Sequence, residues 1–330
     1  MKCAVLGAGA WGTALANLLG ENGHDTAVWA LEPDVAEAIT TAHENPRFLP
    51  GAALHARVRA STDTDSVLDG AELIVLASPS HVLRDVLTSC APAAKERATI
   101  VVATKGIERG TLSLMTEVAE QLLPGRPIVA LSGPSFAAEV AARQPTAIVA
   151  ASKEPEAAEH AQQLFSSPSF RVYTHDDVVG VELGGALKNV MAVATGISDG
   201  LGLGFNARAA LITRGLAEMT RLGTRLGARA ITFAGLAGVG DLVLTCTGAL
   251  SRNRAVGLEI GRGRTLPEVL AGRQTVAEGV TTTESASALA LREGVDMPIV
   301  AAVRRILFER QPARWALVEL MTRDLRGEED

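Results

Sequence analysis

The stretch Lys2-Cys3-Ala4-Val5-Leu6-Gly7-Ala8-Gly9-Ala10-Trp11-Gly12 decides how the rest of this chain is read. Its apolar run breaks off at Gly7, too early to be the hydrophobic region of a secretory signal, which spans about 7–15 residues. A short buried strand, a glycine turn and a helix over 11–22 stopped by Gly23 account for the pattern better. A second strand over 26–30 follows and ends beside Leu31 and Glu32. Gly7 permits a tight turn, Gly9 lets backbone amides approach a pyrophosphate, and Gly12 brings helix against strand. Glu32 stands where an acid can accept a hydrogen bond from a ribose hydroxyl. In a chain with 32 glycines, three at fixed spacing carry little weight alone. The strand before them, the helix after them and the acid beyond make the pattern a dinucleotide site.

Outward from this unit the 330-residue chain keeps alternating apolar runs with helical stretches. Strands are expected over 73–76, 99–103, 128–131, 146–150 and 170–173, with helices over 82–89 and 111–123. Continuously apolar strands joined by helical crossovers imply a parallel sheet covered on both faces. From residue 178 the strand-like runs stop, and apolar residues recur at helical spacing through 181–197, 209–226 and 286–291. The expected fold class is therefore α/β: an N-terminal Rossmann-like, doubly wound parallel sheet in 1–178, followed by an all-α domain in 179–330. The junction is expected to be tight and to form the ligand cleft.

Composition narrows the function classes. Hydrophobic residues make up 47% and aromatics only 3%, so an aliphatic core is expected and disorder is excluded. No uninterrupted apolar stretch reaches the ~18 residues expected of a membrane span. Cys3, Cys90 and Cys246 are odd in number and far apart, which argues for reduced thiols in a cytoplasmic protein rather than a disulfide framework. The net charge of −6, with scattered arginines, argues against a nucleic-acid partner and leaves room for a small anion held by a few Arg. No Cys/His or carboxylate spacing suggests a metal, and no Ser-His-Asp arrangement is visible.

Only five of the 31 basic residues are Lys, and Lys188 lies in Leu183-Gly184-Gly185-Ala186-Leu187-Lys188-Asn189-Val190, which is otherwise apolar all round. A buried ammonium is costly unless paired or used, and desolvation lowers its pKa toward the range of proton transfer. Helical side chains lean over the positions three and four residues back, here Gly185 and Gly184, so room for a ligand is expected above them. The alternative is a core lysine paired with Glu182 or another acid. Lys105, after a strand end, either holds an oxyanion or substrate hydroxyl or is merely solvated. The Ser132-Gly133-Pro134-Ser135 turn offers donors at another strand end. Asp241 and Thr245 share one helix face, with Asp241 as a plain N-cap the competing explanation. Ser251, Arg252 and Asn253 combine a capping serine, a helix N-terminus and a guanidinium, the elements of a phosphate clamp. His81, beside a strand end, is a candidate for cofactor contact. Asn189 and Thr245 are candidates to orient Lys188 or a substrate carbonyl.

Taken together, these segments resemble the bacterial NAD(P)-dependent glycerol-3-phosphate dehydrogenases. The likeness runs from Gly7–Ala14 (GAGAWGTA) through Asn45-Pro46-Arg47-Phe48-Leu49-Pro50, Ala103–Gly106 (ATKG), Ser132–Ala137 (SGPSFA), 183–190, 206–219, 240–247 and Ser251-Arg252-Asn253-Arg254. The resemblance implies reversible reduction of dihydroxyacetone phosphate to sn-glycerol 3-phosphate with NAD(P)H, feeding glycerophospholipid synthesis, in a homodimer. It implies Lys188 as proton donor and acceptor and Lys105 against substrate and cofactor. It further implies Gly133, Ser135, Asp241, Ser251, Arg252 and Asn253 around the glycerol phosphate, and Trp11, Ala137, Arg252, Val276 and Glu278 around the cofactor. Two positions depart from the family pattern. Ala10 stands where a serine is usual, and Leu31 stands where His or Arg often meets a 2′-phosphate. With Glu32 beside it, the adenosine end lacks an evident phosphate partner, and a relaxed or NAD-leaning preference is expected. The rivals are a related dehydrogenase acting on a β-hydroxy acid or ketopantoate, and a non-catalytic NAD sensor.

Overall fold

The computed structural model describes residues 1–271, 276–325 and 327. The part of the expected second domain at 272–275, 326 and 328–330 lies outside the described residues. Ten strands form in chain order: β1 (Lys2–Leu6), β2 (Asp25–Trp29), β3 (Glu44–Asn45), β4 (Leu49–Ala53), β5 (Val58–Ser61), β6 (Leu73–Leu76), β7 (Thr99–Val102), β8 (Ile128–Ser132), β9 (Thr146–Ala151) and β10 (Phe170–His175). Eight of them make one sheet in the order β10-β9-β8-β7-β6-β1-β2-β5, while β3 and β4 form a separate antiparallel ribbon.

The Rossmann-like expectation holds, with one difference. Every pair in the large sheet is parallel except β8 and β9, which run antiparallel through Leu131↔Ala150. The connection between them carries only the five-residue helix Ala137–Ala141. That helix advances about 7.5 Å, too short to return along the roughly 16 Å of β8, so the chain turns back where it stands. The longer helix Pro155–Phe165 then restores a parallel crossover into β10. Strand β5, Val58-Arg59-Ala60-Ser61, carries little apolar signal and was not among the expected strands. The helix expected over 111–123 begins only at Met115, after a loop in which Leu112 has φ +60°.

Both sheet faces are covered by aliphatic clusters, one centred on Val5, Leu15, Val28 and Val129, the other on Leu6, Ile74, Leu87 and Ile100. The second half is helical throughout its described length. Its axis is the helix Val178–Gly200, capped by Asp177 on the amide of Gly180 at 2.9 Å. By length and composition this helix could cross a membrane, but 94% of its most apolar window is buried inside the fold. The helix Arg252–Gly261 packs on it backbone to backbone: a Cβ added at Gly196 would lie 2.1 Å from the Arg254 carbonyl oxygen. One added at Gly257 would lie 2.1 Å from that of Val193. The three cysteines are buried and free.

Candidate active site

The dinucleotide turn has the shape the glycines predict. Gly7 has φ +122°, and a Cβ there would stand 2.8 Å from the amide nitrogen of Ser78 at the end of β6. A Cβ on Gly12 would sit 2.0 Å from the Gly7 carbonyl oxygen, so helix Ala10–Glu21 starts directly against the turn. Gly9 differs, with nothing within 4 Å of its Cβ position. Gly9 caps the helix without a side-chain bond, which leaves first-turn amides available to an anion. Two buried polar atoms nearby, Trp11 Nε1 and Ser78 Oγ, have no hydrogen-bond partner among the described residues. Open amides, a glycine cradle and orphaned donors fit a dinucleotide. Leu31, 72% exposed, follows the end of β2 with Glu32, and Ala10 is half-buried at the helix start.

From this turn a continuous row of contacts runs across the C-terminal ends of the central strands. The Thr104 hydroxyl donates to the Ser78 carbonyl at 2.8 Å, fixing the loop after β7. Lys105 follows, and its Nζ donates to the Gly133 carbonyl at 3.1 Å and to Asp241 Oδ2 at 2.8 Å. Asp241 Oδ1 accepts from Lys188 Nζ at 2.6 Å, so one carboxylate, 1% exposed, bridges two ammonium groups. Lys188 Nζ also donates to Thr245 Oγ1 at 2.9 Å, and the Thr245 hydroxyl donates in turn to the Asp241 carbonyl at 2.6 Å. An ammonium has three N–H donors; two are committed here and the third keeps a fixed direction.

Burial pushes the Lys188 ammonium down to about 8, with Asp241 opposing the fall and Lys105 adding to it. Burial would raise Asp241, but the two ammonium groups outweigh that and hold it below the usual carboxylate range. Two cations against one anion leave the cluster with a net positive charge, which attracts an anionic ligand.

Several readings change in detail. Lys188 is paired, and its partner is Asp241 rather than Glu182. The Glu182 carboxylate instead accepts from the amide and hydroxyl of Thr116, at the start of the helix Met115–Leu122. Gly184 and Gly185 leave no room for a ligand. A Cβ at Gly184 would meet the Ala237 carbonyl oxygen at 2.3 Å, and one at Gly185 the Ser132 Oγ at 2.5 Å. These glycines admit neighbouring protein atoms against the lysine's helix. Asp241 is not an N-cap, because its side chain is consumed by the two lysines. Lys105 is not a solvated loop residue, with a side chain only 16% exposed.

Asn189, one position and about 100° further round the helix, makes no bond to Lys188. Its Oδ1 accepts from Asn253 Nδ2 at 2.8 Å, and Asn253 Oδ1 accepts from the Gly279 amide at 2.9 Å. Ser251 caps the helix Arg252–Gly261 as expected, its Oγ accepting from the Arg254 amide at 3.2 Å. Arg252 forms no ion pair among the described residues; desolvation of its guanidinium lowers the pKa, and the charge of nearby Glu278 opposes the fall. The Ser135 hydroxyl donates to the Gly133 carbonyl at 2.9 Å.

Glu278 ties the two halves together: its carboxylate accepts from the Ser80 amide at 3.1 Å and the Ser80 hydroxyl at 2.5 Å. Burial raises its pKa against those bonds, with the nearby charges of His81 and Arg252 lowering it. His81 is exposed on that same turn, Val276 is exposed just before the Glu278 helix, and Ala137 is half-buried at the start of its short helix. Physics gave no reason to single out Glu278; a buried carboxylate opposite a strand-end serine 198 residues away has no local signature. Arg47, part of the 45–50 stretch that carries the resemblance, has no role in the expected site. It lies between β3 and β4 with its guanidinium 4.0 Å from Glu32 and 3.7 Å from Asp34, so the adenosine end does hold a cation.

A glycine turn at the C-terminal ends of parallel strands, facing a buried lysine cluster on a helical partner, defines a dinucleotide-dependent oxidoreductase. Comparison with known proteins gives the narrower assignment. Residues 2–158 match the NAD-dependent glycerol-3-phosphate dehydrogenase N-terminus, and 177–318 match the corresponding C-terminus. A glycerol-3-phosphate dehydrogenase [NAD(P)+] of Geobacter metallireducens is 56% identical over 332 residues, covering 99% of this chain and 98% of the relative. The Geobacter sulfurreducens counterpart is 55% identical over 330 residues, with the same shares covered. The crystal structure of glycerol-3-phosphate dehydrogenase from Coxiella burnetii superposes with a TM-score of 0.94 at 41% identity, over 98% of this chain and 99% of that one. The chain belongs to the NAD-dependent glycerol-3-phosphate dehydrogenase family.

Proposed function

We infer that this protein catalyses the reversible, NAD(P)H-dependent reduction of dihydroxyacetone phosphate to sn-glycerol 3-phosphate. The observation that carries the reading is the Asp241 carboxylate shared between Lys188 and Lys105 at the C-terminal ends of the central strands. The cofactor, when bound, supplies or takes the hydride. The first-turn amides after Gly9 hold its pyrophosphate, and Trp11, Ala137, Val276 and Glu278 surround the rest. Lys188 Nζ hands a proton to the C2 ketone oxygen through its third N–H, and takes one back in the oxidation direction. Asp241 and Thr245 fix the direction of that N–H, and Lys105 offers its remaining donor to the substrate. Gly133 and Ser135 line the same side.

Substrate phosphate docks at the N-terminus of Arg252–Gly261, on Arg252 and on the amides that Ser251 leaves free. The Asn253 carboxamide is engaged by Asn189 and Gly279. In this scheme Asn189 is a positioning residue that holds the phosphate helix. The division 1–178 and 179–330 separates nucleotide from substrate lobes. The protein works as a cytoplasmic homodimer and supplies the backbone of glycerophospholipids.

The test follows NADH and NADPH absorbance with dihydroxyacetone phosphate and with unphosphorylated dihydroxyacetone. Turnover at least about tenfold greater in kcat/KM with the phosphate ester is expected, because the clamp is left unpaired without it. Failure to oxidise either nucleotide with the phosphate ester refutes the reading.

A further inference from the structure

The segment Asn45-Pro46-Arg47-Phe48 is built into the dinucleotide site although it belongs to the small ribbon. Asn45 is fully buried, and its Nδ2 donates to the Ala8 carbonyl at 2.9 Å and to Thr13 Oγ1 at 2.8 Å. Its Oδ1 accepts from the Phe48 amide at 3.0 Å, closing the turn that carries Arg47. One asparagine thus holds the ribbon against the glycine turn itself. Above this anchor the Arg47 guanidinium lies 5.3 Å from the centre of the Phe48 ring.

Arg47 has two acidic neighbours and is committed to neither. It lies 4.0 Å from Glu32 and 3.7 Å from Asp34, outside hydrogen-bond range of both, with 36% of its side chain exposed. By contrast, Arg254 closes on Asp199 at 2.7 Å. An acid just past the second strand receives the ribose 2′-hydroxyl in this kind of fold, and a nearby Arg accommodates a 2′-phosphate. Here both stand at one corner, and a loosely held guanidinium can turn from carboxylate to phosphate at little cost.

We propose that Arg47 is the 2′-phosphate receptor of this chain, replacing the cation missing at Leu31, so that Glu32 and Arg47 together let it accept NADH and NADPH. The inference rests on the dinucleotide-site reading of the Gly7–Gly12 turn. Charge-assisted bonds from a guanidinium to a phosphate contribute enough that losing them costs roughly tenfold or more in affinity. Because the corner is exposed, the effect is larger at low ionic strength.

The experiment measures Kd for NADPH and for NADH by tryptophan quenching, without substrate, in the parent protein, R47A and E32Q, at low and high salt. R47A is expected to lower the NADPH/NADH affinity ratio by at least about fivefold, and E32Q to raise it. A smaller fall for R47A, or a fall for E32Q, overturns the proposal. A parent protein that binds neither nucleotide overturns the dinucleotide-site reading and this inference together. Parent binding with an unmoved ratio overturns the inference alone. Turnover of dihydroxyacetone phosphate, measured separately, bears only on the assigned reaction.

Discussion

Replacing Asp241 by Asn keeps the shape of the site and removes the one negative charge between two ammonium groups. The carboxylate lies 2.6 Å from Lys188 Nζ and 2.8 Å from Lys105 Nζ, with almost no solvent access. With charge centres about 4 Å apart and an effective dielectric near 20, each attraction is about 4 kcal/mol. Since about 1.4 kcal/mol corresponds to one pH unit, the loss is several times what is needed to move the Lys188 titration visibly. Relaxation and entering water absorb part of it, and the remaining Lys105 charge works in the same direction. The Lys188 ammonium, at about 8 in the native protein, then gives up its proton more readily. The expected result is a fall of at least about a hundredfold in kcat for ketone reduction at pH 7.5, with the residual pH profile moved at least one unit toward acid. Steady-state reduction of dihydroxyacetone phosphate across pH 5.5–9.5, with NADH binding measured alongside, reads both quantities. A profile midpoint within about half a unit of the parent, or kcat within about threefold, refutes the claim that Asp241 sets the state of Lys188.

Lys188→Ala removes the proposed proton carrier and is expected to reduce kcat by at least about a hundredfold while NADH titration by fluorescence stays close to the parent. With Lys188 as the proposed donor, reduction in the unaltered protein is expected to decline as pH rises through about 8. Oxidation of glycerol 3-phosphate needs the neutral amine and rises over the same interval, which initial rates in both directions check. Glu218→Ala leaves the amides of Ile299 and Val300 without their buried acceptor at the start of helix Pro298–Phe308; unfolding in urea is expected to show a loss of about 2–4 kcal/mol. Gly185→Ala puts a methyl group 2.5 Å from Ser132 Oγ and 3.4 Å from Lys105 Cδ; it is expected to raise KM for dihydroxyacetone phosphate more than that for NADH in steady-state assays.

The sequence made the nucleotide end legible because its constraints are local: a strand, three glycines and a helix within the twenty residues from Lys2 to Glu21. It also marked Lys188 as buried, since every face of its helix is apolar, but not why the ammonium is tolerated. Asp241 is 53 residues from Lys188 and 136 from Lys105, and no pattern of either helix or loop joins them. The paired glycines 184 and 185 suggested room for a ligand, but neighbouring protein atoms fill it. The direction of β9 was hidden for a similar reason. Thr146-Ala147-Ile148-Val149-Ala150 is buried on both faces whichever way it runs, and the length of the preceding helix alone settles it. The place of Arg47 beside Glu32 was not legible, because a two-stranded ribbon of mixed polarity has neither helical nor alternating periodicity.

The glycine contacts between Val178–Gly200 and Arg252–Gly261 have a consequence for substrate choice. Where two rods touch through bare main chain, no side chain at the contact can re-pack to change their spacing. In the proposed reaction, the interval from the Ser251 end of one rod to the Lys188 tip on the other is then a fixed gauge for the substrate. A ketone one carbon further from its phosphate is expected to fit that gauge less well.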